Sequence, residues 1–200
     1  MPTVFVVDDD EPLRDSIQWL LEAHDYRVAL YDSAERFLAD GAATQPGCLL
    51  LDVRMPGMNG QQLFDALIER GSRMPVVFIT GHGDVPMAVA AVKKGAVDFI
   101  EKPFGEQELL RLVAHCLERD AEQRKAVAAS ASIAAQMAAL TPREREVLDL
   151  IIAGKLNKII ADRLAISPKT VEVHRARVMD KMGVRSVAEL VQAVMAGRQG

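Results

Sequence analysis

The first hundred positions carry five short runs of apolar residues, separated by segments with helical spacing. Strands are predicted at 3–7, 27–31, 48–52, 75–80 and 97–101. Helices are predicted between them near 12–23, 33–39, 59–70 and 85–94, with a fifth starting near Glu106. Four of the runs end in a reactive side chain. Val4-Phe5-Val6-Val7 ends in Asp8-Asp9, Cys48-Leu49-Leu50-Leu51 in Asp52, and Val76-Val77-Phe78-Ile79 in Thr80. The fourth, Asp98-Phe99-Ile100-Glu101, leads into Lys102-Pro103. Strict alternation of strand and helix predicts an α/β domain with a parallel sheet covered on both faces. In such a sheet, ligands bind beyond the C-terminal ends of the strands, where all four reactive tips converge. Local signals agree around the fourth helix. Asp84 is placed to cap it, Pro86 suits its first turn, and Gly95 follows its end.

The pattern changes after about residue 117. Residues 118–139 hold strong helix formers, no Gly or Pro, and few large apolar residues (Val127, Ile133, Met137). They are expected to form a solvated helical linker that can extend the fifth helix or pair weakly with a second copy. From 140 to 200, four short helices are punctuated in turn. Thr141-Pro142-Arg143-Glu144 is a capping box, and Gly154 closes that helix. A second spans about 157–164, and Ser167-Pro168 opens a third that Gly183 ends. Ser186 and Glu189 start a fourth that Gly197 is expected to end. Only Ala165-Ile166-Ser167 separates the second and third, the tight joint of a helix-turn-helix. The predicted division is therefore 1–117, 118–139 and 140–200.

Composition narrows the classes. Half of the 200 residues are apolar, enough for ordinary cores. No apolar stretch approaches the roughly 20 residues of a membrane span, and the N-terminus lacks the pattern of a signal peptide. A cytoplasmic protein is expected. Cys48 and Cys116 stand far apart in sequence without metal-ligand spacing and are read as buried reduced thiols. Trp19 is read as a core or half-exposed helix residue. Charge is uneven: residues 141–200 hold 11 Lys/Arg and 7 Asp/Glu, a net of +4, which leaves −8 on residues 1–140. An acidic module is thus joined to one that tolerates nucleic acid.

Carboxylates, a hydroxyl and an ammonium on neighbouring strand tips suit a phosphoryl-accepting, divalent-metal site. The residues Asp8-Asp9, Leu51-Asp52-Val53-Arg54-Met55-Pro56, Thr80-Gly81 and Lys102-Pro103-Phe104 resemble the receiver domain of bacterial two-component response regulators in type, order and strand position. The resemblance covers about 115 residues. It implies a flavodoxin-like (βα)5 fold in which Asp52 accepts a phosphoryl group from a sensor histidine kinase. It also implies Mg²⁺ held by Asp8 or Asp9, Asp52 and the backbone carbonyl of Arg54. Lys102 would supply a second cation and Thr80 a hydroxyl donor, so that positioning and electrostatics supply the catalysis. Acidic residues after a strand are often mere helix caps, and Asp8-Asp9-Asp10 also fits that role. The expected switch couples Thr80, through the loop Thr80-Gly81-His82-Gly83, to inward rotation of Phe99. Many receivers have tyrosine there, so the switch here must rest on packing.

The C-terminal segment resembles the LuxR-type helix-turn-helix of the FixJ group of regulators. Leu140-Thr141-Pro142-Arg143-Glu144-Arg145-Glu146-Val147-Leu148, Lys155-Leu156-Asn157-Lys158-Ile159-Ile160-Ala161 and Ser167-Pro168-Lys169-Thr170-Val171-Glu172-Val173-His174-Arg175 carry it. The third helix sets a core stripe (Val171, Val178, Met182) against an outer face. Lys158, Lys169, Arg175 and Arg177 are expected on phosphate, and Thr170, Val173 and His174 near base edges. Glu172 departs from a fully basic surface; it either accepts from cytosine or faces Arg175 or solvent. So small a module needs a dimer on paired half-sites of double-stranded DNA. Phosphorylation is expected to create that homodimer through Val89, Val92, Lys93 and their neighbours, with RNA polymerase as a further partner. The expected function is a phosphorylation-activated transcription regulator that is not an enzyme. A haloacid-dehalogenase-type phosphatase would want an acid two residues after its aspartate, where this chain has Arg54. A nucleotide hydrolase would want a Gly-Lys-Ser/Thr phosphate loop, and the chain has none.

Overall fold

The computed structural model describes residues 1–81 and 85–198. Chain contacts divide it into two units, Met1–Gln123 and Arg124–Gly200. The first unit holds strands β1 (Thr3–Val7), β2 (Arg27–Tyr31), β3 (Gly47–Asp52), β4 (Val76–Thr80) and β5 (Asp98–Glu101). Its helices are α1 (Glu11–Glu22), α2 (Ala34–Ala39), α3 (Gly60–Glu69), α4 (Val85–Lys93) and the start of α5 (Glu106–Ala138). All strand pairs are parallel, in the order β2-β1-β3-β4-β5. The order reverses between β1 and β3, so the ligand-binding crevice of such a sheet opens above these two strands.

Alternation along the strands builds both faces. Phe5, Val7, Leu49, Leu51, Val76 and Phe78 pack on one side with Phe37, Leu63, Phe64 and Leu67 of α2 and α3. Val4, Val6, Cys48, Leu50, Val77 and Ile79 pack on the other with Ile17 and Leu21 of α1 and Leu109, Leu112, Val113 and Cys116 of α5. Each large apolar side chain fully buried this way contributes about 1.5–3 kcal/mol. The three central strands are therefore buried along their whole length, while edge strand β2 is half-exposed. Cys48 and Cys116 are free, buried and neighbours; the hydrogen bond between them and then burial push the Cys48 thiol up. Trp19 departs from expectation at 80% exposed. It lies two residues from both Ile17 and Leu21, which places it on the far side of α1 from the buried stripe.

The second unit holds the tail of α5, then α6 (Pro142–Ile152), α7 (Asn157–Leu164), α8 (Pro168–Lys181) and α9 (Val187–Arg198). Val147, Leu148, Ile151, Ile160, Val171, Val178, Leu190 and Val194 form its core. Residues 118–138 continue α5 without a break, and parts of this stretch are less solvated than its composition suggests. Asp120 is buried and accepts the Gly47 N–H at 3.0 Å, while Ile133 and Met137 pack on the core of the second unit. Gly197 lies inside α9 rather than ending it. A Cβ there would come within 2.7 Å of Ile133 Cγ2, so this glycine serves a close helix approach. The expected cap Asp84 lies outside the described residues.

Candidate functional site

The β1–β3 register aligns Val7 with Leu51, so the next residues, Asp8 and Asp52, emerge side by side. The acidic run divides its work. Asp10 caps α1, accepting the Leu13 N–H at 3.3 Å, and Asp8 Oδ1 accepts the Asp10 N–H at 2.8 Å. Asp8, Asp9 and Asp52 are left with carboxylate oxygens all within 4.8 Å of one another. Asp8 and Asp52 are buried and Asp9 is exposed. Lys102 reaches in from the end of β5, donating to Asp8 at 2.9 Å and Asp52 at 2.6 Å. Its own N–H bonds the Thr80 carbonyl at 2.7 Å, tying the lysine to the end of β4. Asp52 Oδ2 accepts the Arg54 N–H at 2.7 Å, while the Arg54 side chain is exposed.

One position was not foreseen. Arg14, half-buried in the first turns of α1, donates to the Asp8 carbonyl at 2.6 Å. No local signal marks it, because the contact spans six residues across a helix cap. With both cations counted, three carboxylates still exceed them by one negative charge. Burial, opposed by Lys102 and reinforced by Asp8, raises the Asp52 pKa. Burial pushes the Lys102 ammonium down, but its hydrogen bonds to Asp52 and Asp8 outweigh that and hold its pKa above the ordinary value. Asp8 and Asp52 each accept one backbone N–H as well, yet with Lys102 and Arg14 counted the three carboxylates remain one charge short of balance. A hard divalent cation fits such an oxygen-rich, partly exposed cluster.

Thr80 is fully buried, its hydroxyl pointing to the Ile100 carbonyl at a long 3.5 Å. Phe99 is half-buried against the α2–α3 face of the sheet. His82 and Gly83, assigned to the switch loop, lie outside the described residues. On α4, Val89 and Lys93 are exposed, and Val92 is half-buried against the core.

In the second unit, Ala165 turns the chain with a φ of 52° and Ser167 caps α8, accepting the Thr170 N–H at 3.1 Å. Val171, Val178 and Met182 are buried, as the periodicity requires. Lys169, Thr170, Val173 and Arg177 are exposed on α8, and Lys158 on α7. Two details separate members of this set. The Thr170 hydroxyl already shares a hydrogen bond with Ser167 Oγ at 2.8 Å. His174 and Arg175 flank the core stripe and are half-buried, with His174 Nδ1 out of solvent and lacking a protein partner. Behind this face, the buried Glu144 closes the Thr141 capping box and accepts from Lys181 at 2.7 Å.

Residues 4–114 match the response regulator receiver domain, and residues 138–194 the bacterial regulatory proteins of the luxR family. The chain belongs to the FixJ-type response regulators. The regulator is 44% identical to the transcriptional regulatory protein FixJ of Bradyrhizobium diazoefficiens, over 96% of this chain and 94% of that one. It is 43% identical to the C4-dicarboxylate transport transcriptional regulatory protein DctR of Rhodobacter capsulatus, over 95% and 98%. Among solved structures it is similar to the response regulator StyR at a TM-score of 0.90 and 45% identity, covering 97% and 98% of the two chains. Full-length FixJ from B. japonicum gives a TM-score of 0.62 at 42% identity, covering 100% and 98%. The regulator thus pairs a receiver, whose kind of domain takes input from a sensor kinase, with a LuxR-type DNA-binding domain in one transcriptional regulator. No helix among the described residues is long and apolar enough to cross a membrane.

Proposed function

We propose that Asp52 accepts a phosphoryl group from a sensor histidine kinase in a Mg²⁺-dependent step, and that this acceptance drives dimerisation and sequence-specific DNA binding. The observation that carries the reading is the unbalanced charge of Asp8, Asp9 and Asp52 around Lys102. Asp8, Asp9, Asp52 and the Arg54 carbonyl would hold the cation, which when bound offsets the negative charge of acceptor and phosphoryl oxygens. The chain's own groups do the rest. An Asp52 carboxylate oxygen attacks phosphorus as the bond to the donor breaks. Lys102 stays on Asp52 and Asp8 and meets the transferred oxygens with positive charge. Thr80 exchanges its weak bond to the Ile100 carbonyl for one to the phosphoryl group, which gives Phe99 room to turn inward.

Output follows from a change in packing, because a phosphoryl group shifts an equilibrium only by interacting differently with two states. The surface of α4 and β5 around Val89, Val92 and Lys93 becomes the homodimer contact. Two copies then place two α8 helices on paired half-sites. Lys158, Lys169, Arg175 and Arg177 meet phosphate, and Thr170, Val173 and His174 approach base edges. RNA polymerase is the partner that turns binding into regulation, and the setting is the cytoplasm. Phosphorylation is a single-turnover step at Asp52, followed by slow hydrolysis that restores the carboxylate.

The test is selection of genomic fragments by the purified protein, with and without Mg²⁺ and a small acyl phosphate. Enrichment of a few paired half-sites only in the phosphodonor arm is expected. Equal enrichment in both arms would retain the DNA module and remove phosphorylation as its switch. Enrichment in neither arm would leave a phosphorylated adaptor.

A further inference from the structure

A residue in neither motif fastens the loop that follows the acceptor. Glu35, in the first turn of α2, accepts the Met58 N–H at 2.9 Å across 23 positions of sequence. Met58 belongs to the loop 53–59, which runs from Asp52 to α3 and contains Arg54. The loop is fastened at several points, beginning with the Val53 N–H on the Ile79 carbonyl of β4 at 3.1 Å. Near its start, the Arg54 N–H bonds Asp52 Oδ2 at 2.7 Å. At its end, the Gly60 N–H bonds the Val53 carbonyl at 3.1 Å, beside the Asn59–Gln62 capping box. Glu35 holds the turn between them to a different element, α2.

Gly57 supports this reading. Its φ of 71° already favours glycine, and a Cβ there would sit 2.8 Å from Glu35 Oε1. The turn is shaped around the carboxylate. The Arg54 fastening, by contrast, uses an oxygen of the acceptor itself, and that carboxylate changes its bonding when it accepts a phosphoryl group. Glu35 is outside that change, anchored on a helix that follows β2, the strand paired to β1.

We infer that Glu35 is a positioning residue for the acceptor loop: by holding Met58 it fixes the segment bearing Arg54 in the shape that receives a divalent cation. This role rests on the Mg²⁺-dependent acceptor function proposed above. The test uses the full-length protein and two readouts. The first is exchange of the loop amides, above all Met58, without added metal. The second is the Mg²⁺ concentration giving half-maximal phosphorylation of Asp52 by acetyl phosphate.

Glu35→Ala is expected to speed loop exchange and raise that Mg²⁺ concentration roughly 3- to 10-fold, less than the ~10–100-fold loss typical of groups bonded directly to a metal ligand. Saturating Mg²⁺ should restore the rate. Glu35→Gln keeps an oxygen acceptor without the charge and should stay near wild type in both readouts. Fast Met58 exchange in Glu35→Ala with an unchanged Mg²⁺ requirement overturns the positioning role alone. A Glu35→Gln variant as impaired as Glu35→Ala assigns the effect to charge and overturns the hydrogen-bond argument. If wild-type protein shows no Mg²⁺-dependent phosphorylation, the acceptor function itself falls and takes this role with it.

Discussion

Lys102 and Lys181 both reach buried carboxylates, and their surroundings differ in one respect. Lys181 meets a single buried acid, Glu144, at 2.7 Å, and also donates to the Ala139 carbonyl at 3.1 Å. Lys102 meets two, Asp8 and Asp52, with Asp9 beside them. The first arrangement is balanced: one charge against one, the remaining capacity taken by the Thr141 cap. The second is short of positive charge even with Arg14 at its rim. A balanced pair holds helices together. Crowding two buried carboxylates with a third at the exposed rim is costly, and a folded chain retains such a cluster where a further charge is meant to arrive.

The largest expected effect breaks the imbalance at its centre. Asp52→Asn should abolish phosphoryl incorporation while costing no stability. Burial and the neighbouring Asp8 raise the Asp52 pKa. An acid with a raised folded-state pKa favours folding below its ordinary value of 3.8 and loses that contribution as pH rises through the raised value. At neutral pH the charge therefore works against the fold, and Asn removes it while Lys102 keeps Asp8. Melting at pH 7 should be equal to wild type or higher. A clear drop would mean that the Lys102–Asp52 bond outweighs the repulsion and that the site is not strained. Next in size is Lys102→Met, which removes the cation. Phosphorylation by a small acyl phosphate at saturating Mg²⁺ should slow about 10²-fold, the usual loss for one electrostatic stabiliser. A rate within a factor of about two of wild type would exclude Lys102 from the transfer.

The imbalance was legible in the sequence because its members end strands. Asp8, Asp52, Thr80 and Lys102 follow apolar runs, and a parallel sheet brings all such ends to one edge. The alternation within those runs also gave the two-faced core. What escaped the sequence was contact made across elements. Arg14 and Glu35 act through a backbone carbonyl and a backbone N–H, which no side-chain pattern encodes. Asp120 looked like one more charge on a helix until β3 supplied a buried N–H for it. Gly197 carries the same lesson in reverse. Its sequence signal for a helix end is real, yet packing against Ile133 decided its use. Helix α8 was easy to place, but half-burial of His174 depends on its neighbours in the second unit.

The balanced pair should respond to pH in the opposite sense from Asp52. Lys181, then the Thr141 N–H, hold the Glu144 carboxyl down at about 2, against an ordinary 4.5. A depressed folded-state pKa contributes stability above the ordinary value, and that contribution is lost as pH falls from 4.5 towards about 2. Glu144→Gln keeps an oxygen for the capping box and loses the charge. The second unit should then melt several degrees lower at pH 7, and the gap to wild type should close as pH falls through that window. Amide exchange of the α6–α9 peptides reads this unit separately from the receiver. A gap that is constant with pH would assign the loss to packing rather than to the ion pair.

The smallest effect sharpens the comparison from the other side, because unbalanced charge costs little where water can reach it. Lys169 is exposed at the start of α8, next to the Ser167 cap, at the positive end of the helix dipole. Its surplus charge is screened and harmless until a phosphate approaches. Lys169→Ala should leave folding and Asp52 phosphorylation unchanged. It should weaken binding of phosphorylated protein to its selected DNA nearly uniformly across sequences, and lower the slope of log affinity against log salt by about one per subunit. Binding titrations at several salt concentrations measure both. An unchanged slope would remove Lys169 from the phosphate contacts, and a loss confined to particular bases would move it among the residues that read sequence.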